Sequence, residues 1–469
     1  MKKSMCITEK QYKQLQKHLF PGDQKEAIAI LLCGVHKAKN RERFLVHKIF
    51  MIPYEKCTVR SARRVQWQTD VLKPILDEAS QKKLSVFKIH SHDKRFKEFS
   101  KIDNVSDKKL FPQIYTWLDS NQNHGSLIML SCGKLIGRIV REDGKFVEID
   151  SFSKIGNDIV SWTTANNNKI YDDEFALRHR QAFGEDTFKK LHNLKITIVG
   201  CSGTGSFVIE QLARLGVGEL VLVDPDVVEL KNLNRIINST YNDAIKGKSK
   251  VSVLKRAITN MNIGTKVQTF YSNLFNSKVV NEVAGSDIIF GCMDSIDGRH
   301  LLNRISNIYL IPYFDLGVKL KADGKGGVEH IVGSVHYLQP GMSTLLSRGL
   351  YSQKKLESAN LIRTDPDEYQ KRLKSKYIDG IVVDSPAVIS INNQISSFAV
   401  NDFLARIHCY RYNNNSTYAI TMFNFCDWDL ITESEEKLNQ KNTFTKFIGR
   451  GDMLPLLNMS ALNSSEGSI

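Results

Sequence analysis

Two groups of residues in this 469-residue chain have the types and spacing that chemistry requires. The first is a turn rich in small residues, containing Gly200, Gly203 and Gly205, between an apolar run and a helical pattern. Glycines let the backbone approach a phosphate closely, and the N-terminus of the following helix offers free N–H groups. A second apolar run ends in Asp224, where an acid can bind ribose hydroxyls. This order predicts a nucleotide site, although Ser202 breaks the strict G-x-G-x-x-G spacing.

More charged side chains follow this turn than nicotinamide chemistry needs. Asn232, Arg235 and Lys250 come after the ribose-binding candidate, and Asp294 ends a further apolar run. Arginine and lysine neutralise a triphosphate, and a carboxylate can hold Mg²⁺. The pattern therefore favours a nucleoside triphosphate over a dehydrogenase cofactor.

The second group is a histidine pair at the end of a predicted strand. His90 and His92 are two residues apart, so both point to the same side of an extended chain and can reach one metal ion. Asp103 is a candidate third ligand from the start of the next helix. Two histidines, one carboxylate and a water make an open tetrahedral zinc site, which lowers the pKa of the water to about 7.

The elements that must position these groups follow from hydrophobic periodicity. In the first third of the chain we expect helices near 8–19, 71–80 and 109–120. Strands are expected between and after them, as predicted from short apolar or alternating runs at 26–34, 44–52, 84–90, 126–131 and 135–141. After residue 195 the pattern alternates strand and helix, which is typical of a mostly parallel sheet.

Residues 178–303 resemble the ThiF/MoeB/HesA adenylyltransferases, the core of ubiquitin-activating enzymes. The matching features occur in the family's order and spacing: HisArgGln at 179–181, the glycine turn at 200–205, Asp224 with Asp226, AsnLeuAsnArg at 232–235, Lys250, and MetAsp at 293–294 followed by Arg299. The resemblance covers roughly 175–430 and implies that ATP and a C-terminal carboxylate give an acyl adenylate and pyrophosphate.

The same resemblance implies a role for each matching residue. Asp224 binds ribose beside the glycine turn, and Asp294 holds Mg²⁺. The residues that it places on phosphates are Arg180, Asn232, Arg235 and Lys250. Arg180 and Asp294 are the catalytic candidates of this group, because carboxylate attack needs charge stabilisation and positioning more than a covalent residue.

The histidine pair and Asp103 resemble the H-x-H-x₁₀-D motif of the JAB/JAMM metallopeptidases, which cleave bonds after ubiquitin-like C-termini. This resemblance implies zinc on His90, His92 and Asp103. It implies that Ser100 hydrogen-bonds the developing oxyanion and that Glu26 is the general base.

Two departures from the JAB/JAMM pattern accompany the match. Asp93 stands where the family usually has proline, and Glu26 stands one residue farther from Gly34 than the family's glutamate. A β-bulge would absorb the extra residue. Glu55 is the alternative general base.

Cysteine usage bears on what happens after adenylation. Relatives in the ThiF family carry cysteines after a ProGly turn, often on structural zinc, whereas Thr344 and Ser347 stand there in this chain. Cys292 lies in the apolar run before Asp294, and we expect its side chain to be a small, buried apolar group. We therefore expect no structural zinc. The adenylate passes either to a thiol or amine of another protein or to a cysteine of this chain, and both alternatives stay open.

Composition limits the remaining classes. The eight cysteines have no paired spacing, there is no apolar run of about 20 residues, and the first residues lack an apolar signal core, so we expect a cytoplasmic protein. The net charge of +15 is spread along the chain. Nucleic-acid binding is therefore an alternative, not the expectation; it would show a steep salt dependence.

Together these features predict an α/β protein. We expect a JAB/JAMM-like α/β/α domain over 1–155, a linker over 156–175, a Rossmann-like ThiF adenylation domain over 176–432, and a polar, flexible tail over 433–469. Segments 444–448 and 453–457 of the tail are apolar enough to dock a partner.

The expected function is processing and activation of a ubiquitin-like protein, with ATP, Mg²⁺ and Zn²⁺ as cofactors. Such fusions resemble bacterial conjugation systems associated with phage defence. Expected partners are the ubiquitin-like protein, a conjugating-enzyme-like acceptor and a second copy of the chain. The alternatives are an adenylyltransferase of a sulfur-carrier pathway and a non-catalytic scaffold.

Overall fold

The computed structural model describes residues 1–93, 97–163, 174–323, 325–374, 388–439 and 441–462. The chain divides into two compact units. The N-terminal unit is built from Met1–Asn168 together with two later segments, Ile308–Leu310 and Phe447–Leu454. Most of the remaining chain forms the C-terminal unit.

The N-terminal unit is organised on a mixed β-sheet. In the described part of the chain its strands, numbered along the sequence, are β1 (Lys2–Thr8), β2 (Ile28–Ala38), β3 (Arg41–Met51), β6 (Ser85–His92), β7 (His124–Leu130), β8 (Leu135–Val140), β9 (Phe146–Glu148), β10 (Ser151–Ile155) and β11 (Ile159–Thr163). They lie in the order β11-β10-β1-β3-β2-β6-β7-β8-β9. A separate hairpin consists of β4 (Cys57–Ser61) and β5 (Arg64–Trp67). The central strands β2 and β6 are almost wholly buried, β2 with a mainly apolar composition and β6 with buried polar side chains that include His90 and His92.

Helices cover both faces of this sheet. Helix α1 (Glu9–Leu19) begins with a capping box at Thr8 and packs its apolar side on one face. Helices α2 (Lys73–Lys82) and α3 (Lys101–Leu118) pack on the other face. Along β6, Phe87 and Ile89 join the α1 core, so the alternate residues of the strand face α3.

The predicted boundaries of the N-terminal unit need two corrections. Strand β11 pairs antiparallel with β10 and so extends the sheet into the first part of the predicted linker, while residues 164–173 lie outside the described residues. The predicted flexible tail makes specific contacts: Gly34 N–H donates to Gly449 O (3.1 Å), and Asp452 N–H donates to Val35 O (2.8 Å). Residues 463–469 lie outside the described residues.

The C-terminal unit also has a single main sheet. Within the described ranges its strands are β12 (Lys195–Val199), β13 (Glu219–Val223), β14 (Lys266–Phe270), β15 (Ile288–Gly291), β16 (Tyr313–Ala322), β17 (Val328–Leu338), β18 (Ile420–Asn424) and β19 (Asp429–Glu433). Their order is β14-β13-β12-β15-β16-β17-β18-β19, parallel from β14 to β16 and antiparallel beyond. Connections leave β12 toward β13 on one side, and β15 lies on its other side. The strand order therefore reverses at β12, which is where ligands bind in open α/β sheets.

The helices of the C-terminal unit connect or cover these strands. In the described residues they are α4 (Leu177–His192), α5 (Gly203–Arg214), α6 (Tyr241–Ile245), α7 (Lys250–Met261), α8 (Ser277–Ala284), α9 (Ile296–Tyr309), α10 (Gln353–Thr364), α11 (Pro366–Lys374) and α12 (Ile389–His408). No helix in the described ranges has both the length and the apolar character that crossing a bilayer demands.

Candidate active sites

The glycine turn lies at the carboxyl edge of the parallel strands. Gly200 follows β12 with φ +91°, and a Cβ there would lie 2.5 Å from the carbonyl oxygen of Cys292, which follows β15. Only glycine permits both this backbone angle and this contact. Helix α5 starts at Gly203, and its N-cap residue Ser202 makes no side-chain capping bond. The first N–H groups of α5 are thus left for an anion.

Asp224 ends β13 beside this turn and is buried. It accepts hydrogen bonds from the N–H groups of Cys201 (2.6 Å) and Asp226 (2.9 Å). Burial raises the pKa of Asp224, although the Lys250 ammonium, 3.8 Å away, opposes the shift. Lys250 also lies 2.7 Å from the Asp226 carboxylate. The structure therefore brings together the predicted ribose ligand, the glycine turn and one predicted phosphate ligand.

Two more predicted phosphate ligands lie on the segment after β13. The Cδ of Arg235 lies 3.4 Å from the position of a Cβ on Gly203, so this side chain passes over the first residue of α5. Asn232 is buried and caps its own turn, with its Oδ1 accepting from Glu229 N–H (3.1 Å). Both side chains are bonded within the chain, since Arg235 Nη1 also donates to Lys231 O (3.0 Å) and to Asn234 Oδ1 (3.2 Å). Contact of either residue with a phosphate stays a prediction.

Asp294 and Arg180 differ in how the structure places them. Asp294 is exposed and lies three residues beyond the end of β15, at the edge where Gly200 contacts Cys292. Arg180 lies on α4, before the first strand of the sheet, and its guanidinium is 3.7 Å from Glu185. Contact of Arg180 with a phosphate stays a prediction.

Sequence reasoning missed three polar residues of this region. The Asn392 amide on α12 lies 2.3 Å from the position of a Cβ on Gly203, and Ser396 of the same helix donates to Thr204 O (2.9 Å). Helix α12 therefore covers the start of α5. Asp315 on β16 is fully buried and accepts from Arg299 Nε (2.9 Å). Arg299 belongs to the motif that resembles the ThiF family, but no local sequence pattern identifies its ion-pair partner Asp315.

The turn after Pro340 carries hydroxyls where the relatives' cysteines would stand. Thr344 N–H donates to Ser347 Oγ (2.8 Å), and Ser347 N–H donates to Thr344 Oγ1 (3.0 Å). These reciprocal bonds hold the turn. Cys292 is partly buried, and burial raises its pKa to about 12. At neutral pH this thiol is protonated.

The predicted metal ligands converge in the N-terminal unit. His90 Nε2 lies 2.9 Å from His92 Nε2 and 3.1 Å from Asp103 Oδ1, and His92 Nε2 lies 3.5 Å from Asp103 Oδ2. Ligands of a tetrahedral zinc with bonds near 2.0–2.1 Å lie roughly 3.3 Å apart. Burial lowers the pKa of His90, which favours the neutral imidazole that metals bind. The donor set and its spacing fit zinc.

Ser100 starts the helix that carries Asp103. It is the N-cap of α3, and its hydroxyl and its N–H both donate to Asp103 Oδ2 at 2.7 Å. Burial would raise the pKa of Asp103, but hydrogen bonds from the two histidines and Ser100 hold it well below its usual range. The predicted contact of Ser100 with an oxyanion stays a prediction, because its hydroxyl is bonded to Asp103 here.

Glu26 lies in the same cavity as the three ligands, which has a volume of about 250 Å³. Its carboxyl is largely buried, and burial raises its pKa to about 7. The pairing of β2 with β3 shifts register between Leu32 and Cys33, but the extra residue is His47 on β3, and β2 pairs with β6 from Ile28 to Cys33 without a shift. The bulge expected between Glu26 and Gly34 is therefore not found in the paired part of β2. The β4–β5 hairpin lines the cavity through Arg64 and Trp67, among others.

Comparison with known proteins concerns the C-terminal unit. The model of the ThiF family matches residues 176–426, slightly more than half of the chain. A ubiquitin-like modifier-activating enzyme 5 from Drosophila pseudoobscura pseudoobscura is 29% identical over 166 residues, covering 33% of this chain and 39% of that protein. A SAMP-activating enzyme E1 from Haloferax volcanii is 34% identical over 123 residues, covering 26% of this chain and 45% of that protein. The chain thus spans less than half the length of these curated relatives.

Solved structures similar to this chain include E. coli MccB with ATP and SeMet PaaA. The first has a TM-score of 0.43 and 20% identity, over 58% of this chain and 74% of that chain. The second has a TM-score of 0.42 and 19% identity, over 59% of this chain and 79% of that chain.

Proposed function

The chain belongs to the ThiF family, and on that premise we propose that its C-terminal unit uses ATP to adenylate the C-terminal carboxylate of a ubiquitin-like protein. The observation that carries this proposal is the glycine turn at the uncapped N-terminus of α5, with Asp224, Lys250 and Arg235 beside it. The curated relatives named above are activating enzymes of ubiquitin-like modifiers and SAMP proteins.

Each step of the proposed reaction has residues to support it. A carboxylate oxygen of the partner attacks the α-phosphorus of ATP, and the bond to pyrophosphate breaks. The N–H groups of α5, with Arg235 and Lys250, stabilise the charge that moves onto pyrophosphate. Asp224 orients the ribose. Asp294 is an exposed carboxylate that would hold Mg²⁺, which neutralises phosphate oxygens when bound.

The direct test is ATP–pyrophosphate exchange with a ubiquitin-like protein encoded beside this chain. Asp294→Ala should abolish exchange. Asp287→Asn is the matched control: Asp287 precedes β15, at the opposite end of that strand from Asp294, and accepts from Lys195 N–H (3.0 Å). Exchange at the parent rate in Asp294→Ala would refute this assignment. A thiol-sensitive adduct on a gel would show that a cysteine of this chain accepts the partner, whereas exchange without an adduct points to an acceptor on another protein.

For the N-terminal unit we propose zinc-dependent cleavage at a ubiquitin-like C-terminus. The convergence of His90, His92 and Asp103 beside a buried glutamate carries this proposal. When bound, zinc lowers the pKa of a coordinated water to about 7 and so supplies a nucleophile at neutral pH. Glu26 accepts the proton of the attacking water and returns it to the leaving amine.

Metal analysis tests the second proposal. We expect about one zinc per chain, and we expect His90→Ala with His92→Ala to remove it. His124→Ala is a matched control, because His124 is a buried histidine of the same unit whose Nδ1 accepts from Val86 N–H (3.0 Å). A parent protein that binds no zinc would rule the peptidase out.

Other functions make different predictions. A sulfur-carrier pathway would need a sulfur-carrier protein as the adenylated partner, and exchange assays with each class of partner separate the two cases. A non-catalytic scaffold would bind its partner without exchange or cleavage. A nucleic-acid binder would lose affinity steeply with salt in a mobility-shift assay.

A further inference from the structure

We propose that a buried ion network formed by Lys88, Asp107 and Arg138 positions the ligand Asp103 and thereby sets the affinity of the metal site. This inference rests on the proposed zinc site of the N-terminal unit. It concerns residues outside the H-x-H-x₁₀-D pattern.

The network is tightly bonded and excluded from water. Lys88 Nζ lies 2.5 Å from Asp107 Oδ1, and an Arg138 amino nitrogen lies 2.7 Å from Asp107 Oδ2. The Asp107 side chain is fully buried, and the Lys88 and Arg138 side chains are 4% and 7% exposed. The Arg138 guanidinium also stacks on two aromatic rings, 3.8 Å from the centroid of Phe99 and 3.7 Å from that of Phe146. Such contacts fix the guanidinium plane.

The three charged residues lie on the elements that carry the ligands, or beside them. Lys88 precedes His90 by two residues on β6 and therefore faces the same side as both histidines. Asp107 follows Asp103 by four residues on α3, one helical turn away on the same helix face. The Lys88–Asp107 pair consequently ties the strand of the histidine ligands to the helix of the carboxylate ligand.

Arg138 adds a second tie from β8. One of its amino nitrogens lies 2.5 Å from Asn104 Oδ1, and Asn104 directly follows the ligand Asp103. Lys88 also lines the cavity that contains His90, so the network forms part of the wall of the site. The start of α3 is therefore held by two contacts, one at Asp107, a helical turn after Asp103, and one at the neighbouring residue Asn104.

The burial of the network points to a role other than stability. Two cations share the Asp107 carboxylate, and the ionised carboxylate of Asp103 lies in the same cavity as Lys88. Apolar side chains of similar volume at such positions are often at least as stable as a buried ion network. Partners that orient metal ligands typically change metal affinity 10- to 100-fold when they are removed.

The key variant keeps the net charge of the network while removing its central tie. Lys88→Met with Asp107→Asn leaves only the charge of Arg138, which equals the net charge of the parent network. Zinc affinity is measured by competition with a chelator, and ligand geometry by the visible absorption of the Co²⁺-loaded protein. We expect zinc binding to weaken by about 10- to 100-fold, with a changed Co²⁺ spectrum.

Two further variants keep the test decisive. Glu42→Gln alters another fully buried carboxylate of the unit, bonded to Asn123 (2.9 Å), and should keep parent zinc affinity. Asn104→Ala removes only the contact beside Asp103 and should weaken zinc binding by roughly 3- to 10-fold even if the double variant fails to fold. Thermal unfolding of the metal-free proteins separates loss of folding from loss of affinity.

The possible outcomes separate the proposed metal site from the proposed positioning role of the network. A parent protein that binds neither Zn²⁺ nor Co²⁺ would overturn the proposed metal site itself. A parent that binds zinc, with parent affinity and an unchanged Co²⁺ spectrum in the folded double variant or in Asn104→Ala, would overturn the positioning role alone.

Discussion

Glu26 has an environment that opposes its own ionisation. Burial raises its pKa from 4.5 to about 7, and the Asp103 carboxylate adds to the shift. Between these two values the folded protein keeps a proton that the unfolded chain has lost. Stability therefore falls as pH rises through this window, and the full cost is present above pH 7.

A substitution of Glu26 tests whether this group lowers stability as pH rises. In the metal-free protein Glu26→Gln should raise the free energy of unfolding of the N-terminal unit by up to about 3 kcal/mol at pH 8, since one pKa unit corresponds to about 1.4 kcal/mol. The gain should disappear near pH 4, where Glu26 is protonated in both states. Calorimetric unfolding at the two pH values measures the difference. An equal effect at both would contradict the raised pKa.

Cysteine reactivity should follow burial. Cys201 is buried and Cys292 is partly buried, and burial raises both pKa values. Cys132, Cys409 and Cys426 are exposed. Iodoacetamide at pH 7.5 should label the exposed thiols and spare Cys201 and Cys292, whose thiols stay protonated, as peptide mass spectrometry would show. Labelling of Cys292 in the native protein would reopen it as an acceptor of the activated partner.

Spacing allows prediction of residues whose chemistry depends on neighbours in sequence. The histidine pair and Asp103 come together because they lie at the end of β6 and at the start of the next helix, α3. The glycine turn and Asp224 come together because they follow the adjacent parallel strands β12 and β13, whose carboxyl ends meet at one edge of the sheet. Asn392 could not be predicted, because it reaches Gly203 from a helix that lies far along the chain. Ser100 shows another limit: its position was predicted, but a hydroxyl at a helix start also caps that helix.

At the scale of elements, the segment Phe447–Leu454 completes the end of β2. A Cβ on Gly34 would lie 2.2 Å from the carbonyl carbon of Arg450 and 2.3 Å from Gly449 O. Both are backbone atoms, which cannot move aside without breaking the pairing. The Asp452 carboxylate also accepts from His36 Nδ1 (2.8 Å).

Gly34→Ala should therefore detach this segment. Hydrogen exchange at the Asp452 amide should accelerate at least tenfold, while exchange in β7 stays slow. Val35→Ala is the control, since it shortens a side chain of the same strand without filling the space above Gly34. Parent protection of the segment in Gly34→Ala would contradict the contact.

Strong periodicity made most of the larger elements predictable. Helix α1 and the buried strands β2, β3 and β6 follow from apolar patterns that local sequence imposes. Strands β1, β10 and β11 were missed, since strands of mixed composition are recognisable only by their pairing, and β1 pairs with β10, which is distant in sequence. The docked segment was read as flexible for the same reason.

At the scale of the whole molecule, the two proposed sites draw on separate residues. The ligands His90, His92 and Asp103 belong to one unit, and Asp224 and Asp294 belong to the other. Removal of zinc with a chelator, followed by dialysis into excess Mg²⁺, should leave ATP–pyrophosphate exchange within about twofold of the parent rate, and Asp294→Ala should leave zinc content unchanged. Metal analysis and exchange assays on the same samples measure both, and loss of exchange on chelation would show that the two sites depend on each other.

The docked segment also has a consequence for synthesis on the ribosome. The N-terminal unit includes the late segment Phe447–Leu454. The backbone groups of Gly34 and Val35 therefore cannot bond to Gly449 and Asp452 until the C-terminal unit has been translated. Until then the end of β2 offers open hydrogen-bonding groups to any extended chain nearby. Nascent chains stalled before this segment should therefore associate with one another more readily than released ones.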